Sequence, residues 1–220
     1  QFVEGLACGA LYLAAQGEAR FLGVTRQLHG CHWAGAPSHF AYVGSLGPLS
    51  ISHALQRQFR RLGAHLAERF ELQGLFGIDV IVHGQRLWTV EVSPRYTASA
   101  EIYERSTDLS MLQLHRQACE AGKLPNRLLP QPRMTVGKAV VYAPSSGIVS
   151  RAFCQWLDAG NKQTGGCRYA DLPQPNLDVM CGAPLLTVFA QGSSANHVMS
   201  ALNSHARIVR REFLKGATPW

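Results

Sequence analysis

The sequence predicts an α+β protein: an antiparallel sheet with flanking helices over residues 1–125, and a smaller β-rich unit with a closing helix over residues 126–220. Three observations predict this class. Strand-like and helix-like signals alternate through the first part, tight turns separate neighbouring strand signals, and a stretch with three prolines, LPNRLLPQPR, separates the two parts. The chain has 220 residues and 46% of them are hydrophobic, which is enough for a substantial core.

The first part opens with two apolar runs, residues 7–14 and 19–27, that read as a β-hairpin around a turn at 16–18. Residues 29–39 contain glycines and a proline without any periodicity, so we expect a loop there. A short strand is expected at 40–43.

A helix is predicted from an N-cap at Ser52 to about Glu71. The prediction rests on apolar residues that recur at helical spacing and form one stripe. These residues are Leu55, Phe59, Leu62, Leu66 and Phe70.

A second hairpin is predicted from the β-rich runs 75–82 and 86–92, which a His-Gly-Gln turn separates. Pro94 cannot continue a strand ladder, so the second strand should end near it. Two helices are expected next, over about 99–105 and 109–120.

In the second part, strands are predicted at 138–143 and 184–190. The glycine-rich stretch 160–166 predicts a loop. The last helix should begin at Ser193 or Ser194, either of which can act as its N-cap.

The net charge of +7 invites a nucleic-acid hypothesis. The excess of basic residues is diffuse, however, and no aromatic residues are interleaved with it, so nucleic-acid binding is disfavoured. A basic cleft that binds small phosphate-bearing molecules would explain the positive charge equally well. The six cysteines are scattered without a C-x-x-C pair, which favours reduced thiols and a cytoplasmic location. No apolar run reaches the length of a membrane span, so no membrane partner is expected.

Asp79 and Glu91 lie in otherwise apolar strand signals of the second hairpin. The midpoint of their positions falls at the turn, so the two should be close to cross-strand partners. Facing carboxylates repel each other, and a divalent cation such as Mg²⁺ between them makes the arrangement favourable. Arg95 follows on the loop and can hold a carboxylate or a phosphoryl group. The alternative is an Asp at a strand edge and a Glu–Arg salt bridge.

The hairpin sequence IDVIVHGQRLWTVEVSPR resembles the metal-binding hairpin of the ATP-grasp superfamily, whose second strand typically reads Glu-x-Asn-x-Arg. QFVEG resembles the hinge strand that lies against adenine. FLGVTRQL, FAYVGSLGPL and the helical segment SAEIYERSTDLSMLQLHRQACEAGKLP are similar to a predicted carboligase branch related to biotin carboxylase. The resemblance covers about residues 1–125, and GKAVVYAPSSGIVS resembles the small carboxy-terminal β-unit of that branch.

This resemblance implies an ATP-dependent ligase that phosphorylates a carboxylate and lets an amine or similar nucleophile attack the acyl phosphate. It implies that Asp79 and Glu91 hold Mg²⁺, or Mn²⁺, and that Arg95 steadies the acyl phosphate. Ser93 stands where the motif has Asn, and a hydroxyl is a poorer metal ligand than an amide carbonyl, so the resemblance implies that water takes one coordination position.

The resemblance also implies that Phe2 and Val3 line the adenine pocket, with Glu4 nearby for the ribose. Arg26 is the implied phosphate contact. The alternative for Arg26 is an ordinary surface arginine on a strand.

The chain starts at Gln1 inside an apolar run, and we expect it to be the carboxy-terminal portion of a longer enzyme whose amino-terminal half holds the other side of ATP. We therefore expect the chain alone to be inactive or weak. The expected partners are ATP, a small carboxylate and an amine, with a homo-oligomer as an open option. The alternative hypothesis is a degenerate, non-catalytic ATP-grasp module.

Overall fold

A computed structural model describes residues 2–125, 130–164 and 168–216. Residues 126–129 of the predicted linker, and residues 165 and 166 of the predicted loop, lie outside the described residues. The strands and helices follow in chain order: β1 (Leu6–Ala15), β2 (Glu18–His29), β3 (Tyr42–Gly47), α1 (His53–Phe70), β4 (Gly74–His83), β5 (Arg86–Ser93), α2 (Ala98–Thr107), α3 (Met111–Ala121), β6 (Thr135–Tyr142), β7 (Gly147–Ile148), α4 (Arg151–Gln163), β8 (Tyr169–Ala170), β9 (Asp178–Val179), β10 (Pro184–Gly192) and α5 (Ala195–Gly216).

The chain divides into two compact units. The first contains Gln1–Gln27 and Leu46–Thr135, and the second contains Leu28–Ser45 and Val136–Trp220. Residues 28–45, which precede α1 in sequence, therefore group with the carboxy-terminal part. The assignment of one function to residues 1–125 and an accessory role to 126–220 stays a prediction.

In the first unit the strands lie in the order β5-β4-β1-β2, and each neighbouring pair is antiparallel. Alternate residues of β1 face opposite sides of this sheet. Cys8, Ala10 and Tyr12 belong to the core that α1 covers. Leu11 and Leu13 belong to a second core with residues of α2 and α3. This confirms the predicted α+β class of an antiparallel sheet with flanking helices.

Helix α1 begins as predicted, because the Ser52 side chain accepts a hydrogen bond from the backbone N–H of Leu55. Its buried face differs from the predicted stripe towards the end of the helix. Gly63 and Ala67 are buried there, whereas Phe70 is 63% exposed. The absence of a side chain at Gly63 lets the helix lie against the ring of Tyr12, so the small residues take the core positions.

In the second unit the strands lie in the order β3-β6-β10-β8, and α5 packs on β10. Ser194 caps α5, since its side chain accepts a hydrogen bond from the N–H of His197. The predicted loop at 160–166 is wrong up to Gln163, where α4 ends. Tertiary contacts explain the helix: Gly160 lies against the ring of Tyr169, and the Asn161 amide binds the backbone of that residue.

No helix among the described residues is long and apolar enough to cross a membrane.

Candidate functional site

Asp79 and Glu91 pair directly across the β4–β5 ladder. The prediction that they are cross-strand partners is confirmed, and we call them the acidic pair. Near the turn, Val80 pairs with Thr89, and the register then shifts by one residue so that Val90 is accommodated as a β-bulge. Without this bulge, Val90 would lie opposite Asp79.

The acidic pair lies at the open edge of the sheet, because β5 is the edge strand of the first unit. Glu91 is exposed and Asp79 is partly buried. Directly opposed residues of an antiparallel ladder have Cβ atoms about 4.5–5.5 Å apart on the same face. A cation between the two carboxylates is therefore within reach of both.

Ser93 lies two residues after Glu91 and shares its face of the strand. Its hydroxyl donates a hydrogen bond to Glu91 Oε1 over 3.1 Å. The serine therefore orients the Glu91 carboxylate. Ser93 is also the residue that replaces the asparagine of the motif.

Arg95 lies on the exposed loop between β5 and α2. Its backbone N–H donates to the carbonyl of Ser93 over 2.8 Å, which forms a turn directly after the strand. The guanidinium Nη1 donates to the carbonyl of Tyr96 over 3.2 Å. The side chain is held beside the loop backbone and is accessible to an anion.

Gly9 of β1 lies next to the acidic pair, because it pairs with Asp79 on one side and with Thr25 on the other. A Cβ atom at Gly9 would lie 2.8 Å from Ser99 Oγ and 3.5 Å from Asp79 Oδ1. The missing side chain lets the first turn of α2 pack onto the strand. The buried hydroxyls of Ser99 and Thr25 are 2.9 Å apart, and Thr25 Oγ1 donates to the Gly9 carbonyl over 3.3 Å.

The predicted adenine-lining residues lie before β1 and beside the turn of the second hairpin. Phe2 is 84% exposed and Val3 is partly buried. The carbonyl of Glu4 is 2.6 Å from His83 Nδ1, which anchors the segment at the end of β4. These residues are not in a strand, in contrast to the predicted hinge strand.

Arg26 is not on the face of the acidic pair. It pairs with Cys8, whose side chain points into the core that α1 covers. Burial raises the pKa of the Cys8 thiol to about 12. The positive charge of the Arg26 guanidinium acts in the opposite direction and lowers this pKa. The cause of this placement is a bulge in β2, where Gly23 pairs with Leu11 but Phe21 pairs with Tyr12.

Gln27, which is not among the predicted site residues, lies on the face of the acidic pair. Its Nε2 atom lies 3.6 Å from the position of a Cβ at Gly9. If the β1–β2 ladder continued from its turn without a bulge, Arg26 would lie on the same face of the sheet as Gly9. The bulge shifts the register by one residue, so Thr25 and Gln27 lie on this face and Arg26 lies on the opposite one. A bulge signal in the sequence, such as Gly23 within the apolar run, could have indicated this change.

Two carboxylates fit a hard, oxygen-binding cation such as Mg²⁺, which usually takes only one or two carboxylates from a protein and fills its other positions with water and phosphate oxygens. Among the residues that the structure describes, no group of three or more His, Cys, Asp or Glu side chains could hold a metal ion. The donor set is thus compatible with a cation that a phosphorylated substrate shares, and incompatible with a closed all-protein metal site.

Residues 1–99 match the family model described as an ATP-grasp domain. The resemblance predicted from the hairpin is therefore confirmed: the chain matches a part of larger ATP-grasp enzymes.

Curated relatives agree with this match. The chain is 28% identical over 96 residues to a formate-dependent phosphoribosylglycinamide formyltransferase of Saccharolobus solfataricus, which covers 44% of the chain and 24% of the relative. It is 34% identical over 77 residues to the enzyme of the same name from Azotobacter vinelandii, over 35% of the chain and 20% of the relative. An uncharacterized protein of Methanocaldococcus jannaschii is 23% identical over 78% of the chain and 39% of its own length. The matches thus span well under half of each relative.

Solved structures share the fold. The L-amino acid ligase of Bacillus licheniformis superposes with a TM-score of 0.70 at 13% identity, over 96% of this chain and 54% of that protein. The phosphoribosylglycinamide synthetase of Anaerococcus prevotii gives 0.67 at 12% identity, over 99% of this chain and 54% of that protein. The chain therefore shares the fold of about half of each of these two proteins.

Proposed function

We propose that this chain is the metal-binding part of an ATP- and Mg²⁺-dependent ligase that activates a carboxylate as an acyl phosphate for attack by an amine or a similar nucleophile. The observation that carries the proposal is the direct pairing of Asp79 with Glu91 on an exposed sheet edge. Like charges directly opposite each other destabilise a ladder, and a cation bound between them removes this repulsion. The match of residues 1–99 to the ATP-grasp domain supports this interpretation.

In this proposal the acidic pair holds Mg²⁺, which when bound neutralises charge on the phosphates. Ser93 keeps the Glu91 carboxylate oriented through its 3.1 Å hydrogen bond. Little covalent chemistry falls to the protein in phosphoryl transfer, so positioning and electrostatic stabilisation carry the reaction. Arg95 is the proposed contact for the acyl phosphate, because a guanidinium binds two oxygens at once.

The adenine would lie at the turn end of the hairpin, against Phe2, Val3 and Glu4. Leu6 and Gly9 are three residues apart on β1, which is about 10 Å along the strand. The turn end and the acidic pair are therefore separated along one sheet edge, as the base and the phosphates of a nucleotide require. The N5-carboxyaminoimidazole synthase of Aspergillus clavatus, which shares the fold with a TM-score of 0.66 at 12% identity, was solved in complex with ADP.

A second candidate is a non-catalytic module that binds Mg-ATP without turnover. Ser93 favours this alternative, because its hydroxyl is already used by Glu91 and replaces the amide ligand of the motif. The two candidates differ in their products and not in their ligand.

The experiment is to incubate the full-length protein that carries this chain with Mg-ATP and mixtures of small carboxylates and amines, and to measure ADP formation. The ligase proposal predicts ADP formation that requires Mg²⁺, a carboxylate and an amine together. Binding of Mg-ATP without any ADP formation supports the non-catalytic module, and failure to bind Mg-ATP contradicts both.

A further inference from the structure

One amide side chain reaches the face of the sheet that carries the acidic pair. Gln27 follows Thr25 by two residues in β2, so both leave the strand on the same side as Gly9. Gln27 Nε2 and Asp79 Oδ1 lie 3.6 and 3.5 Å from the point that a Cβ would occupy at Gly9. The amide and the carboxylate therefore lie on the same face of the sheet beside Gly9, against which Ser99 of α2 also packs.

A polyphosphate bound on this face of the sheet would need a hydrogen-bond donor from the protein. Ionised carboxylates and phosphate oxygens are all acceptors, so a polyphosphate beside the acidic pair needs N–H or O–H groups as well as a cation. Two hydroxyls beside Gly9 are already engaged: Thr25 donates to the Gly9 carbonyl, and Ser99 lies 2.9 Å from Thr25. Both hydroxyls are buried, whereas Gln27 is partly exposed.

We propose that Gln27 is a ligand-binding residue that donates a hydrogen bond from its amide to a non-bridging oxygen of the Mg²⁺-bound polyphosphate. This inference rests on the proposed function and assigns to Gln27 the contact that the family resemblance gave to Arg26. The β2 bulge carries the argument, since it turns Gln27 towards Asp79 and Arg26 towards Cys8.

The proposal can be tested with isothermal titration calorimetry on the full-length protein, with the non-hydrolysable analogue AMPPNP in the presence of Mg²⁺ as the probe. Gln27→Ala should weaken Mg-AMPPNP binding by about tenfold or more, because a hydrogen bond to a charged group contributes about 1.5–3 kcal/mol, and each tenfold is 1.4 kcal/mol. Binding of adenosine, which has no phosphates, should not change. Gln113→Ala, an exposed glutamine on α3, is the matched control and should bind as the wild type does.

A second variant keeps the test independent of folding. Gln27→Glu preserves the shape of the side chain but replaces the N–H donors with a negative charge, so it should weaken Mg-AMPPNP binding more than Gln27→Ala does, and the difference should shrink at high salt. Thermal unfolding of each variant reports on the fold.

The outcomes separate this inference from the proposed function. Wild-type affinity in Gln27→Ala, with lost affinity in Glu91→Gln, overturns the role of Gln27 and leaves the metal assignment intact. Wild-type affinity in Glu91→Gln overturns both. An equal loss for adenosine and AMPPNP in Gln27→Ala, or a loss in Arg26→Ala alone, also overturns the role of Gln27.

Discussion

Glu91 lies directly opposite Asp79 because the β4–β5 ladder takes up one extra residue. The turn pairs His83 with Arg86, and an uninterrupted count from there would have placed Val90 against Asp79. The bulge thus brings two carboxylates together on an exposed edge. β-Bulges re-aim side chains in this way next to functional sites.

Replacing Glu91 with Gln should abolish Mg-ATP-dependent activity of the full-length protein. The change removes a charged oxygen ligand and keeps the shape of the side chain, which is exposed, so stability should change little. We expect a loss of about a hundredfold or more, because even the outer partners of a metal ligand contribute about ten- to a hundredfold. ADP formation against Mg²⁺ concentration measures the effect.

Glu68→Gln is the control for this experiment, since Glu68 is an exposed carboxylate on α1. Activity in Glu91→Gln that equals the activity of this control would contradict the metal assignment.

Arg95→Lys should lower kcat by about ten- to a hundredfold, because lysine cannot form the bidentate contact of a guanidinium. The KM for ATP should change much less, since the proposed contact forms with the acyl phosphate. Steady-state kinetics separates the two parameters, and Arg60→Lys on the exposed side of α1 is the control. A raised KM for ATP with unchanged kcat would move Arg95 from the acyl phosphate to the nucleotide.

Gly9→Ala should reduce the free energy of unfolding by about 1–3 kcal/mol, the usual effect of overpacking. The added Cβ would lie 2.8 Å from Ser99 Oγ, and this hydroxyl is tied to Thr25. Urea denaturation measures the change. The Gly9→Ala and Ser99→Ala changes combined should cost less than the sum of the two single changes, because the second removes the atom that the new Cβ meets. Full additivity would show that this close approach is not the cause.

Stability should fall as the pH drops below about 6.5, in part because of His205. Burial lowers the pKa of this histidine, the Arg168 charge lowers it further, and a hydrogen bond with the Phe189 carbonyl opposes both. The unfolded chain therefore binds a proton at a higher pH than the folded chain, so the contribution is complete above the unfolded pKa and is lost as the pH falls towards the folded one.

His205→Gln removes this titration, and its free energy of unfolding should depend less on pH between 7 and 5. His65→Gln, which changes an exposed histidine on α1, should keep the wild-type slope. Equal slopes for all three proteins in urea denaturation would contradict the assignment to His205.

Local signals predicted much of the fold. The Ser52 cap and the apolar spacing after it gave the start and length of α1, and the His-Gly-Gln turn gave the β4–β5 hairpin. The position of the turn predicted that Asp79 and Glu91 lie close to each other, and the bulge at Val90, which the sequence did not indicate, makes the pairing direct. These features depend on residues close in sequence, where spacing and turn chemistry decide the outcome.

Features that depend on tertiary contacts were not predictable in the same way. The end of α4 reads as a loop because of Gly160, yet the Tyr169 ring and the Asn161 amide hold it helical. The face of Arg26 depends on a single bulge in β2, which changes the side of every later residue in the strand. A resemblance between sequences compares residue types position by position, so it does not show on which face of the strand Arg26 lies.

The second unit combines residues 28–45 with residues from 136 onwards, which limits where the protein can be truncated. Residues 28–45 find their partners after residue 136: the Tyr142 hydroxyl donates to the Tyr42 carbonyl over 2.6 Å, and Gly35 lies against the Arg210 guanidinium. An expression fragment that stops near residue 125 would leave this segment without its core and prone to aggregate. The segment 28–45 is therefore expected to fold only when the carboxy-terminal residues that it contacts are present in the same protein.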